Sequence, residues 1–200
     1  MKLPSTYYRN EDVLFLAKDL LGKVLYTNVC GEISAGIIVE TEAYFGVKDK
    51  ASHAYGGRRT GRTETMYNAG GVAYVYLCYG IHSLFNVVTS KQDDPHAVLI
   101  RAIEPLHGLE FIEARRGMSA SKPAISSGPG SAAKALGIDR TFNLKDLSGS
   151  DIWIEDQSIV YSEAQIAAVP RVGIAYAQEH ALLPWRFFVR GNKYVSKPNK

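Results

Sequence analysis

Val13, Ala17, Leu20 and Leu21 recur at helical spacing behind Asn10, a residue suited to an N-cap, and Gly22 stands at the stop position. The spacing predicts a helix over 11–21. Downstream the pattern shortens to runs rich in Val, Ile and Tyr, so 23–29, 36–44, 72–79, 83–88 and 97–103 read as strands, joined later by 152–155 and 187–190. Two more short helices are expected over 109–116 and 131–136, stopped by Gly117 and Gly137. The links between successive strands are too short for crossover helices, which favours an antiparallel sheet or open barrel over a parallel α/β fold. The expected class is therefore mixed α+β, without internal repeats or low-complexity segments.

At 200 residues and 46% hydrophobic, the chain fits one domain and can bury enough apolar surface to exclude long disorder. No apolar run reaches the roughly 18 residues of a membrane span, and 1–22 lacks the basic start, apolar centre and small-residue cleavage site of a secretion signal. A soluble cytoplasmic protein is expected, nucleoid-associated when it works on DNA. Cys30 and Cys78 lie far apart with no CxxC spacing, which argues against a disulfide framework or thiolate zinc site and for two reduced, buried thiols. The net charge of +3 conceals an asymmetry. Residues 171–200 hold six basic side chains against Glu179, and 48–62 is again locally basic, a distribution that suits a polyanionic partner or simply a solvated surface.

In the strand 36–44, alternation places Ile38, Glu40, Glu42 and Tyr44 on one face. Carboxylates two residues apart on a strand are separated by about 7 Å, within the range used in sugar hydrolysis; two solvated acids on an exposed face is the simpler reading of that strand alone. The run GGVAYVYLCYGIHSLFN (70–86) reads as a hairpin with Tyr79 at its bend, where a ring has no core to fill and can wedge between base pairs. Tyr74 and Tyr76 share the other strand face. Arg101, expected to face the same way as Leu99 and Ile103, needs Glu40, Glu42 or a phosphate as partner. His53 introduces a basic, glycine-containing loop, HAYGGRRTGR, and no histidine belongs to a metal-ligand spacing. In SSGPGSAAK, Gly128, Gly130 and Ser131 stand at a helix start that either receives a phosphate or forms an ordinary capped turn.

The motifs IVETEAYFG (38–46), KASHAYGGRRT (50–60), AYVYLCYGIHSLFNVV (73–88), VLIRAIEP (98–105), SGPG (127–130), RVGI and RFFVRG occur in one order. Together they cover nearly the whole chain, and in this it resembles the single-domain alkyladenine (3-methyladenine) DNA glycosylases of mammals and many bacteria. The resemblance implies a single domain around a curved antiparallel sheet, a DNA-inserting hairpin, and no metal or cofactor. It also implies a monofunctional enzyme, a monomer without membrane contact, whose partner is double-stranded DNA containing damaged purines: 3-methyladenine, 7-methylguanine and, as a further candidate, hypoxanthine. Carried over by position, Glu42 matches the water-activating base and Arg101 the arginine beside it. Tyr44 and Tyr76 match the stacking aromatics, His53 the base-recognising histidine, Asn86 the residue crowding the purine 2-position, and Tyr79 the minor-groove wedge. Two positions depart from the pattern: 89–96 is slightly long, and His82 stands where an aromatic residue is expected. A non-catalytic single-strand nucleic-acid binder and a carbohydrate hydrolase using Glu40 and Glu42 are the rival readings.

Overall fold

The N-terminal helix starts later than its apolar spacing indicates. In the computed structural model, which describes residues 1–197, helix α1 spans Ser5–Tyr8 and α2 spans Val13–Asp19. Asp12, not Asn10, caps α2 by accepting the Phe15 N–H at 2.9 Å, because the Asn10 side chain is already engaged by the Asp12 N–H in a local turn. Val13, Leu16 and Ala17 are buried on the sheet. Gly22 ends this region at φ +89°, and a Cβ there would lie 2.3 Å from the Ile159 carbonyl oxygen.

The strands are β1 (Val24–Val29), β2 (Glu32–Tyr44), β3 (Ala73–Cys78), β4 (His82–Thr89), β5 (His96–His107), β6 (Ile152–Glu155), β7 (Ile166–Val169) and β8 (Arg186–Val189). They pair antiparallel in the order β3-β4-β5-β2-β1-β6, while β8 joins the outer half of β2 and carries β7. The strand β2 thus forks the sheet: its first half lies beside β1, and Glu40, Thr41 and Glu42 lie beside β8. The result is a curled half-barrel within a mixed α+β domain, as the strand pattern indicates. Helix α2 packs on β2 and β5, α4 (Pro129–Ala135) packs on β4 and β5, and α3 (Leu109–Arg116) packs on α4, β2 and β5. Helix α1 and strand β7 lack the apolar periodicity that would reveal them from sequence.

Simple alternation fails where the chemistry lies. Ile38 pairs with Ile103 and Glu40 with Ala102, then Thr41 with Ile100, leaving Val39 and Arg101 without ladder partners. These bulges re-aim side chains. Ile103 joins Ile100 and Ala102 in the main core, whereas Arg101 turns to the acids, so the expectation that Arg101 shares the direction of Ile103 is corrected. Glu40 and Glu42 are both fully buried, which also overturns the picture of solvated acids on an exposed face.

Cys30 is exposed rather than buried and Cys78 half-buried; both are free thiols. The basic surplus is partly internal. Arg171 and Arg186 are buried on Asp49 and Glu40, Lys50 is held by Gln178 and Glu179, and Arg59 by Glu64 and Asp93. Arg58, Arg190, Lys193 and Lys197 remain at the surface, and Lys200 lies outside the described residues. Gly130 has a packing account: a Cβ there would meet His82 at 3.1 Å. Ser131 accepts from Arg116, so the SGPG segment serves α4 docking. Among the described residues no helix is long and apolar enough to cross a membrane.

Candidate active site

The two acids of β2 differ in what holds them. Glu40 receives Arg101 Nε at 2.9 Å, Arg186 Nε at 2.7 Å, the Ser196 hydroxyl at 2.8 Å and the Ser196 N–H at 2.7 Å. Three of these donors converge on Oε1 and the Ser196 N–H takes Oε2, so both oxygens of Glu40 are engaged in holding structure. Glu42 receives the Val172 N–H at 2.8 Å and Arg101 Nη1 at 3.3 Å on Oε1, and the Tyr44 hydroxyl at 2.9 Å on Oε2. Its Oε2 is thereby linked to the ring that leads to the aromatic cavity. Glu40 is thus a clamp joining β2, β5, β8 and the C-terminal segment, while Glu42 is tied to Tyr44 at the aromatic wall.

Arg101 spans both acids. Burial disfavours its cation, but Glu42 and Glu40 outweigh that and raise its pKa. Its Nη2 reaches the Ser196 hydroxyl at 3.3 Å. Burial, reinforced by Glu42, pushes the Tyr44 phenol well above its ordinary value, so Tyr44 keeps the proton it donates.

Beyond Tyr44 the rings close around a cavity of about 20 Å³ lined by Tyr44, His53, Met66, Tyr74, Tyr76 and Asn86. That volume suits about one water, and admitting a purine requires its walls to part. His53 stands edge-on to Tyr76, with centroids 4.7 Å apart and planes at 76°. The Tyr74 ring lies 5.4 Å from Tyr76, and its hydroxyl meets His53 Nδ1 at 2.9 Å. Asn86 donates to the Tyr74 carbonyl at 3.1 Å, which fixes its amide in the wall.

Burial, then the nearby Arg62 and Arg58 cations, lower the His53 pKa from 6.5 to about 4. The imidazole is therefore neutral throughout the physiological range. An unfolded chain binds this proton below 6.5 and the folded one only near 4, so His53 adds stability above 6.5 that is lost as pH falls through about 4. An NMR titration should place the His53 midpoint near 4; a midpoint near 6.5 would show that the imidazole is neither buried nor faced by those cations.

A second buried pair supports the arrangement. Arg171 donates to Asp49 at 2.5 and 2.9 Å and lies between the Tyr44 and Trp185 rings, 4.8 and 5.0 Å from their centroids. Burial raises the Asp49 pKa, but Arg171 and the Ala51 and Phe45 N–H groups outweigh it and hold the carboxyl below its ordinary value. The pair braces the back of Tyr44, and the next residue supplies the Val172 N–H to Glu42.

Glu42, Tyr44, His53, Tyr76, Asn86 and Arg101 therefore form one continuous site. Tyr79 lies apart, at the tip of the β3–β4 hairpin, 92% exposed beside Ile81 at 73%. Tyr79 and Gly80 both adopt positive φ, 51° and 74°, and the Ile81 N–H closes the turn on the Cys78 carbonyl. A bulky side chain in that conformation is strained. The sequence reading missed Tyr74 as the partner of His53, Arg186 and Ser196 as the clamp on Glu40, and the Asp49–Arg171 brace. The alternation of Tyr74 with Tyr76 signalled the first, whereas a backbone N–H 130 residues from Glu42 leaves no sequence mark. Among the described residues no group of three or more His, Cys, Asp or Glu side chains is arranged to hold a metal ion.

A curled antiparallel sheet that buries two carboxylates bridged by one arginine, one of them hydrogen-bonded to the wall of an aromatic cavity, defines the class, and comparison with known proteins gives it a name. The methylpurine-DNA glycosylase family model matches residues 6–193, and the chain belongs to that family of DNA glycosylases. A Chlamydia abortus protein provisionally named a 3-methyladenine DNA glycosylase is 49% identical over 188 residues, which cover 94% of this chain and 97% of the relative. Proteins with the same provisional name from Clostridium perfringens and Natranaerobius thermophilus are each 44% identical, over 98% of this chain and 100% and 99% of their own lengths.

Proposed function

We propose that the protein excises alkylated purines, 3-methyladenine and 7-methylguanine, and deaminated adenine (hypoxanthine) from duplex DNA by hydrolysing the N-glycosidic bond, leaving an abasic site. The observation that carries this reading is the hydrogen bond to the buried Glu42 Oε2 from Tyr44, a residue that lines the aromatic cavity. A base inside a duplex is out of reach, so the nucleotide is extruded, and damaged pairs are the least costly to open. Tyr44 and Tyr76 present π faces and His53 a neutral ring; purines alkylated at N3 or N7 carry positive charge, so ring contacts favour them by about 0.5–2 kcal/mol each. The same charge makes them good leaving groups. As the sugar becomes oxocarbenium-like, the anionic Glu42 stabilises it and takes a proton from the attacking water. Arg101 and the Val172 N–H hold Oε1, which turns Oε2 toward that water. Asn86, fixed by the Tyr74 carbonyl, narrows the wall against a purine 2-amino group.

The hydrolytic step uses water as nucleophile and no amine, so the sugar–phosphate strand stays intact. Strand scission in an alkylated or hypoxanthine-containing duplex should require added alkali, and borohydride should trap no protein–DNA adduct; scission without alkali, or a trapped adduct, contradicts this step. The exposed Tyr79 fits the duplex wedge, since filling the vacated stack offsets part of the few kcal/mol of extrusion. Tyr79→Ala should reduce the fluorescence change of a reporter base next to the lesion in a duplex, with a smaller defect where the lesion faces a loose mismatch. An unchanged amplitude and duplex excision rate would show Tyr79 to be a turn residue only.

A further inference from the structure

The cation position of the aromatic site is already filled by the protein itself. The Arg62 Cζ lies 4.8 Å over the Tyr76 ring, and its Nη2 is 3.4 Å from His53 Nε2. Its neighbours Lys50 and Arg59 are held by acids, Lys50 by Glu179 and Arg59 by Glu64 and Asp93, while Arg58 stands at the surface. Arg62 is instead held by an aromatic face and a neutral imidazole, partners suited to a delocalised cation. The cavity beside it, about 20 Å³, is too small for a purine. Entry of a base therefore displaces something, and Arg62, exposed and touching two of the cavity's rings from outside, can leave without disturbing core packing.

We propose that Arg62 is a place-holding cation: its guanidinium occupies the Tyr76 face that the extruded base takes, leaves when the base enters, and so sets the threshold an extruded base has to exceed. This rests on the reading that Tyr44, Tyr76 and His53 form the base pocket. A cationic purine replaces one cation–π contact with another, while a neutral purine gives up that contact and gains weaker stacking. Displacement thus adds the same free energy to the entry of every base, but it matters unequally. For a tightly held cationic lesion the extruded state is already the major one, and removing the threshold changes its population little; for a neutral base the extruded state is minor and gains the whole factor.

The test is single-turnover excision at saturating enzyme from duplexes containing hypoxanthine or 7-methylguanine, with the wild type, Arg62→Ala, Arg62→Lys and Tyr76→Ala. Arg62→Ala should raise the hypoxanthine rate about 2–30-fold, the range one cation–π contact represents, and raise the 7-methylguanine rate less, so that the preference for the cationic base narrows. Arg62→Lys should fall between. A merely structural role predicts a fall in both rates; that fall, or an unchanged ratio, overturns the place-holder. If Tyr76→Ala is impaired while Arg62→Ala leaves the ratio unchanged, the place-holder fails and the base pocket stands; if Tyr76→Ala excises both lesions at the wild-type rate, the pocket reading fails and the place-holder with it. The Arg62 Nε–H resonance gives a readout independent of turnover. It should be ring-current shifted in the free protein and lose that shift when Glu42→Gln enzyme binds a hypoxanthine duplex. A shift that persists in the complex shows that the guanidinium stays and overturns the proposal.

Discussion

Glu42→Gln is expected to lower the single-turnover excision rate by about 10²–10⁴-fold, the contribution of a positioned general base, while leaving the affinity for lesion-containing duplex close to that of the wild type. The amide keeps the shape of the side chain and can still accept from the Tyr44 hydroxyl or from the Val172 N–H, so the aromatic wall stays in place. What it loses is the negative charge facing the sugar and the ability to take a proton from water. Rate and binding measured on the same duplex separate these effects: a parallel fall in both would mean that Glu42 holds the pocket together and is not the base.

Glu40→Gln is expected to do the opposite, lowering stability by about 3–5 kcal/mol, the usual consequence of removing one partner from a buried ion pair, with a much smaller loss of rate per folded molecule. Four donors converge on Glu40, and Arg101 and Arg186 would be left facing an uncharged amide in the interior. Urea denaturation gives the stability, and active-site titration with lesion duplex gives the folded fraction against which the rate is normalised. A stable Glu40→Gln protein that no longer excises, beside a Glu42→Gln protein that does, would reverse the two roles and revive the two-acid hydrolase reading.

How much of this is legible in the chain depends on range. The class of fold, the main β-strands and the helix near the N-terminus follow from local periodicity and glycine stops, although capping competition between Asn10 and Asp12 moved the helix start. Alternation grouped Glu40, Glu42 and Tyr44 correctly, since Glu42 and Tyr44 do share a hydrogen bond and both acids reach Arg101. It could not show that the acids are buried, because what buries them arrives from 171–196, far along the chain. Nor could it show the bulges at Val39 and Arg101, which depend on how β2 and β5 meet. The basic run 171–200 misled for the same reason: Arg171 and Arg186 look like surface cations in sequence and are interior counter-charges in the fold. That Glu40 is clamped by Arg186 and Ser196 while Glu42 is tied to the aromatic wall through Tyr44, on which the assignment of Glu42 over Glu40 rests physically, is visible only in three dimensions.

The measurement that bears most directly on the central claim is release of free purine from methylated duplex DNA, followed by chromatography of the supernatant for wild-type and Glu42→Gln protein. Wild type should liberate 3-methyladenine and 7-methylguanine as free bases, with one alkali-labile site left in the DNA for each base released, and Glu42→Gln should bind the same DNA and liberate essentially none. Binding without base release by the wild type would contradict hydrolysis at Glu42 and leave a nucleic-acid binder in its place.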